Sequence, residues 1–273
     1  MSNRVRINLV DNIAKAASAA EALLAEAAIG FDSEGANLSR FGRLGLMQFR
    51  SPSNVYICDA LVPEVVGQFK AVLESEKIIK ITHDCREDAS ALLHQHRIYI
   101  RNIFDTQIAY RRLMNHDYLS SLEHVRSSVL LHTRPGLSQQ DSSDTWLRRP
   151  LTTDQVDYAV HDVVDALALY TALSERVSSA DVDLDFSRYL GYRAMNVPQV
   201  KGRKDLKPGV KVQAMLAARA PNGWYFKLNC GIPGIVSGLE RLARIHDLTV
   251  GEITPCVVIA KTNIDDAVLL EPL

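Results

Sequence analysis

"IGFDSEG" (29–35) decides how the first half of this chain is read. A short apolar run, Ile29 to Phe31, carries straight into two carboxylates, Asp32 and Glu34, spaced two residues apart. In an extended strand, positions i and i+2 project from one face, so both acids point the same way. Alone, the pair reads more readily as the solvated end of a strand than as half of a cation site.

Outward from this stretch, "RLGLMQF" (43–49) and "NVYICDAL" (54–61) are further strands separated by Gly, Ser, Pro and Asn turns, which predicts an antiparallel meander. Before it, "VRINLV" (5–10) alternates as a strand and residues 11–28 read as an Ala/Leu-rich helix capped by Asp11. After it the pattern changes to a helix at 63–75, a strand at 77–83, a helix at 86–96, a short strand at 98–100, and helices near 105–114 and 119–130. Residues 133–145 form a polar loop, and a last strong helix covers 153–176. Strands alternating with helices in this way predict an α/β domain with a mixed sheet flanked by helices.

Two later stretches carry acids of the same kind. In "THDCREDASALLHQ" (82–95), Asp84, Glu87 and Asp88 crowd a helix start, where the helix dipole favours negative charge. Capping accounts for Asp84 and Glu87 better than for Asp88, which lies one turn further in. In the helix at 153–176, Val156, Val160, Val163, Val164 and Leu167 make an apolar stripe, while Tyr158 and Asp162 stack four apart on another face. A solvated face is the plain alternative for that pair. Like charges about 4 Å apart repel by roughly 4 kcal/mol at an effective dielectric of 20. Four converging carboxylates would therefore shift their pKa values or splay apart unless cations neutralised them, and hard ions such as Mg²⁺ or Mn²⁺ suit oxygen ligands.

The segments "IGFDSEG", "KITHDCREDASALL", "NIFDTQIAYRRL" and "WLRRPLTTDQVDYAVHDVVDALALY" together resemble the 3′–5′ exonuclease domain of the RNase D type, over about residues 5–176. The pattern WLxRPLTxxQxxYAxxD is the most specific of these. Tyr158, four residues before the last acid, matches the tyrosine branch of these DEDD enzymes; the histidine branch would need His where Asp157 stands. The resemblance implies an RNase H-like fold and a two-metal phosphodiesterase using Mg²⁺ or Mn²⁺. By position, Asp32 would bridge both ions, Glu34 and Asp162 would complete one site, and Asp88 would hold the second ion through waters. Tyr158 would orient the attacking water, and Asp105 would be structural. The implied product is a nucleoside 5′-monophosphate from the 3′ end of single-stranded RNA. A catalytically silent RNA-binding adaptor and a DNA exonuclease are the alternatives.

The 273 residues leave room for a second, smaller domain. A basic linker is expected over 179–206 and five short strands in 207–273, with Lys201, Arg203, Lys204 and Lys207 forming a basic cluster where they join. Five strands in so few residues predict a small β-barrel. "KPGVKV", "GWYFKL", "GIPGIV" and "VGEITPCVVIAK" are similar to RNA-binding OB-folds of the ribosomal protein S1 kind. On that reading Trp224, Phe226 and Lys227 join the basic cluster in contacting nucleic acid, although any one ring on such a strand more readily fills the barrel core. A net charge of −1 gives no global attraction to nucleic acid, so binding must rely on such local patches. The N-terminus lacks a signal peptide's apolar core, no apolar run is long enough to cross a membrane, and the four scattered cysteines fit a reducing compartment. An intracellular setting is expected, in cytoplasm, nucleus or an organelle.

Overall fold

A computed structural model describes residues 5–39, 42–116, 119–131, 143–194, 203–228, 232–262 and 267–273. Lys201, Cys230 and residues 133–142 of the polar loop lie outside the described residues. The chain divides into two compact units, Met1–Met114 with Ser120–Phe186, and Asn115–Leu119 with Ser187–Leu273.

The first unit begins β1 (Arg6–Val10), α1 (Ile13–Leu24), β2 (Ala28–Ala36), β3 (Arg43–Arg50) and β4 (Asn54–Asp59). It continues α2 (Pro63–Gln68), α3 (Lys70–Glu74), β5 (Ile79–Thr82), α4 (Arg86–His96), β6 (Ile103–Asp105), α5 (Thr106–Met114) and α6 (Leu122–Leu130). After a 3-10 turn at Ser143–Leu147 come α7 (Thr153–Val163) and α8 (Ala166–Ser174), and α9 (Ser179–Ala194) follows. The six strands form one sheet in the order β1-β4-β3-β2-β5-β6. β2, β3 and β4 are the antiparallel meander, while β1 on β4, β5 on β2 and β6 on β5 run parallel.

β2 divides its side chains between two environments. Phe31 faces Phe49 across the strands at 5.2 Å, and Phe49 stacks on Phe69 at 4.6 Å, which builds the core on one side of the sheet. Gly30, Asp32 and Glu34 alternate to the other side, opposite Arg50, Gln48 and Leu46 of β3. There Leu46, Val55 and Ile57 pack with Trp146, Ala159 and Val163, so α7 lies over this face.

Several local expectations change. Asn12, not Asp11, caps α1, accepting from the Lys15 backbone N–H at 3.0 Å. The helix expected at 63–75 breaks at Phe69, whose ring is fully buried on Phe49, and the helix at 153–176 breaks at Val164 and Asp165. The strand near 98–100 lies instead at Ile103–Asp105; Ile98 and Ile100 are buried without joining the ladder, which explains the apolar alternation that suggested one. α7 buries Gln155, Ala159 and Val163, a face rotated from the valine stripe. The segment taken as a linker holds α9, whose Val182 and Phe186 are buried four residues apart among charged neighbours that hid the period.

The second unit is a closed barrel of β7 (Lys211–Ala220), β8 (Gly223–Leu228), β9 (Pro233–Val236), β10 (Ile253–Lys261) and β11 (Val268–Pro272), with α10 (Leu239–Ala243) between β9 and β10. Its strand order is β10-β11-β9-β8-β7, closed by β10 on β7. Phe226 was expected to face nucleic acid; it is 1% exposed and packs in the barrel core with Leu216, Leu228 and Leu270. The apolar interior of so small a barrel takes the inward rings of its strands. Trp224 shares that face, half-buried against the core, with the Arg219 guanidinium 4.4 Å over its ring.

Gly30 sets the approach of the helices to β2. A Cβ at this position would meet the Ala166 Cβ at 2.7 Å and the Arg50 Cβ at 3.0 Å. Gly30→Ala is expected to destabilise the protein by about 1–3 kcal/mol, the usual penalty for overpacking a tight contact. Urea unfolding of the two proteins measures it.

Candidate active site

β2 and α7 meet where the parallel partner strand stops. β5 pairs β2 only as far as Gly30 with Ile81, so Asp32 and Glu34 lie past the end of that ladder. α7 is anchored at its start by a capping box: the Thr152 side chain accepts from the Gln155 N–H, and Gln155 accepts from the Thr152 N–H. Arg149 fixes the preceding turn, donating to both oxygens of Asp59 at 2.6 and 2.9 Å and to the Gly45 carbonyl at 2.6 Å. From that anchor Tyr158 and Asp162, four apart on one helix face, reach the acids of β2.

Carboxylate oxygens of Asp32, Glu34 and Asp162 all lie within 4.8 Å of one another. They line a cleft of about 280 Å³ with Asp84, Asp88, Tyr158, His83 and Arg126, and apolar walls from Leu122, Val163 and Leu169. Asp88, in the first turn of α4, stands outside the close trio; it is buried, and its Oδ1 accepts from the Ser33 hydroxyl at 2.6 Å. Tyr158 is half-buried, its ring 5.8 Å from that of Trp146.

Electrostatics mark the same residues. Burial, reinforced by Asp88, Asp162 and Glu34, pushes Asp32 well above the ordinary carboxylate range. Burial and the charges of Asp162 and Asp88 raise Glu34 to about 8. Asp88 rises to about 7 by burial, against the opposing hydrogen bond from Ser33. Asp162 also rises to about 7 by burial, with Arg126 opposing. Burial and then the acids Asp162, Glu34 and Asp32 raise the Tyr158 phenol above its usual value, so it is a proton donor at neutral pH. An all-oxygen donor set held this close and half-buried fits a hard divalent cation, which would return the carboxyls to their ionised form.

Asp105 is fully buried and accepts from three backbone N–H groups, those of Cys85, Gln107 and Ile108, as a structural residue would. Of the residues expected to contact nucleic acid, Lys204 and Lys207 are exposed, and Arg203 and Lys227 are half-buried. Tyr225 and Lys227 alternate with Trp224 and Phe226 and so lie on the outward face of β8. Ser33 and Arg126 escaped the sequence reading. A serine inside an acidic strand and an arginine on an amphipathic helix carry no motif, and only the assembled fold brings them to the cleft.

Residues 7–178 match a family described as 3′-5′ exonuclease. Ribonuclease D of Shewanella sp. (strain ANA-3) is 28% identical over 144 residues, 52% of this chain and 35% of that protein. The piRNA biogenesis protein EXD1 of Xenopus laevis is 37% identical over 169 residues, 55% of this chain and 38% of that protein. The chain thus spans little more than a third of the length of these curated relatives. The crystal structure of Trypanosoma brucei RNase D in complex with RNA U12 matches with a TM-score of 0.63 at 24% identity, over 73% of this chain and 74% of that one, a likeness of fold.

The raised carboxyls set a pH dependence. A folded state that holds its protons more tightly than the unfolded chain loses stability as those protons leave. The contribution of Glu34, Asp88 and Asp162 is full below the ordinary values near 4 and is lost as pH rises through 7 to 8. In chelator-treated protein, thermal unfolding is expected at lower temperature at pH 8 than at pH 5. Either Mg²⁺ or Asp32→Asn should narrow that difference; a flat profile without metal contradicts the burial of charge in this cleft.

Proposed function

This chain belongs to the 3′-5′ exonuclease family, and we propose that it is a metal-dependent exoribonuclease that removes nucleoside 5′-monophosphates from the 3′ end of single-stranded RNA. The observation that carries this reading is the meeting of Asp32, Glu34 and Asp162 oxygens within 4.8 Å beside a half-buried tyrosine. The similarity to ribonuclease D and the RNA held by the T. brucei enzyme support RNA as the polymer.

Asp32, Glu34 and Asp162 would hold one divalent cation, and Asp32 with Asp88 a second, Mg²⁺ or Mn²⁺. Bound there, the cations acidify water and neutralise charge on the attacking and leaving oxygens. Water oxygen bonds to phosphorus as the bond to the 3′ oxygen breaks, giving a 5′-monophosphate and a new 3′-hydroxyl. Tyr158, held protonated, donates its hydrogen bond to the attacking water or the scissile phosphate. Ser33 orients Asp88 by donating to its Oδ1.

The barrel is read as an S1-like OB-fold that helps hold the RNA. Its first strand pairs with the second and fourth, its third runs parallel to its fifth, and a helix separates the third from the fourth, which supports that reading. Lys204, Lys207 and Lys227 are its candidate phosphate contacts, with Arg203 beside them, and Tyr225 offers the outward ring on β8. Buried, unpaired Cys58, Cys85 and Cys256 support an intracellular setting.

A 3′-labelled oligoribonucleotide with Mg²⁺ or Mn²⁺ should release labelled mononucleotide, and a matched DNA should be cut more slowly. RNA that survives long incubation defeats the proposal, and equal rates on DNA defeat the RNA preference. Asp32→Asn and Asp162→Asn should abolish cleavage with RNA binding retained, and Tyr158→Phe should lower kcat by about 10²-fold. For the barrel, Lys204→Glu with Lys207→Glu should raise KM for RNA and flatten its dependence on salt, as fewer phosphate contacts release fewer counterions.

A further inference from the structure

Two buried arginines reach the end of α7 from different elements. Arg126, on α6, is 1% exposed, and its Nη2 donates to the His161 carbonyl at 2.9 Å. Its Nη1 donates to Glu123 at 2.6 Å and to His161 Nε2 at 2.9 Å. A guanidinium has no acceptor, so that ring nitrogen must carry a lone pair. Its Nε forms an ion pair with Asp165 at 2.9 Å. Arg50, at the end of β3, is 9% exposed, and its Nε donates to the Val164 carbonyl at 3.3 Å.

The carbonyls taken are among those that the last turn of a helix leaves without intrahelical partners. They stand on either side of Asp162: His161 precedes it, and Val164 follows in the break before α8. Asp165, in the same break, is buried and supplies the countercharge. Gly30 makes the arrangement possible, since it faces Arg50 across the strands and has no side chain to hold Ala166 away.

We propose that Arg126 and Arg50 are positioning residues for Asp162: by gripping the backbone on both sides of it, they hold its carboxylate at the spacing from Asp32 and Glu34 that a divalent cation needs. This rests on reading that trio as a cation site. A plain structural tie would stabilise the fold without tuning the site, and metal affinity separates the two roles. Outer residues that orient metal ligands typically change affinity by about 10–100-fold when replaced. Lysine is no substitute for Arg126, because one ammonium cannot reach a carbonyl, an imidazole and two carboxylates in the planar fork geometry of a guanidinium.

The test titrates MnCl₂ calorimetrically into the full chain, comparing wild type with Arg126→Lys, Arg126→Met and Arg50→Lys, each checked for folding by circular dichroism. Expected are folded variants that bind Mn²⁺ about 10–100-fold more weakly, with kcat on an oligoribonucleotide reduced and KM little changed. Variants that are less stable but bind Mn²⁺ as wild type does overturn the proposal. Should both Arg126 variants fail to fold, Arg50→Lys decides by the same criterion. Wild type that binds Mn²⁺ without cutting RNA defeats the exonuclease reading alone, and the affinity comparison still decides the role of the arginines. Wild type that binds no Mn²⁺ overturns both.

Discussion

Three carboxylates within 4.8 Å, in a cleft that Asp88 also lines, resist full ionisation in a half-buried site unless something else carries positive charge. The rest of the first unit is arranged around that constraint. The protein holds the acids on β2 and α7, so the repulsion is shared between two elements. Each acid is raised chiefly by loss of water, so the cleft resists its own ionisation until a cation supplies what solvent does not.

Holding such a site together requires rigid support from outside it. The start of α7 is fixed by the Thr152–Gln155 capping box and by Arg149 on Asp59, and its end lies against Gly30. The aromatic stack of Phe31, Phe49 and Phe69 fixes β2 from the other side of the sheet. Asp32 and Glu34 therefore sit on a strand that is packed on one face and charged on the other.

What could be read from sequence follows from how local the physics is. The meander and the five barrel strands were legible because alternation and turn residues act over a few positions. The stretch around "WLRRPLTTDQVDYAVHD" was legible because its residues have separate duties: Trp146 packs against Tyr158, Arg149 ties the turn, Gln155 caps, and Tyr158 and Asp162 face the cleft. Phe226 misled because period two fixes that it shares a face with Trp224 without saying which face is inside. α9 was missed because Val182 and Phe186 stand among acids, and breaks such as Phe69 and Val164–Asp165 are imposed by partners distant in sequence. Arg126 was invisible for the same reason, since its acceptors on His161 lie on a helix 35 residues away.

The barrel closes on itself, β10 pairing with β7. A closed ring leaves no row of unpaired main-chain amides for another chain to extend. Among the described residues the barrel therefore offers no continuous sheet edge for strand addition or for self-association. Whatever the barrel binds, it must read with side chains and the loops at its rims, so its selectivity is open to change one surface residue at a time while the backbone stays fixed.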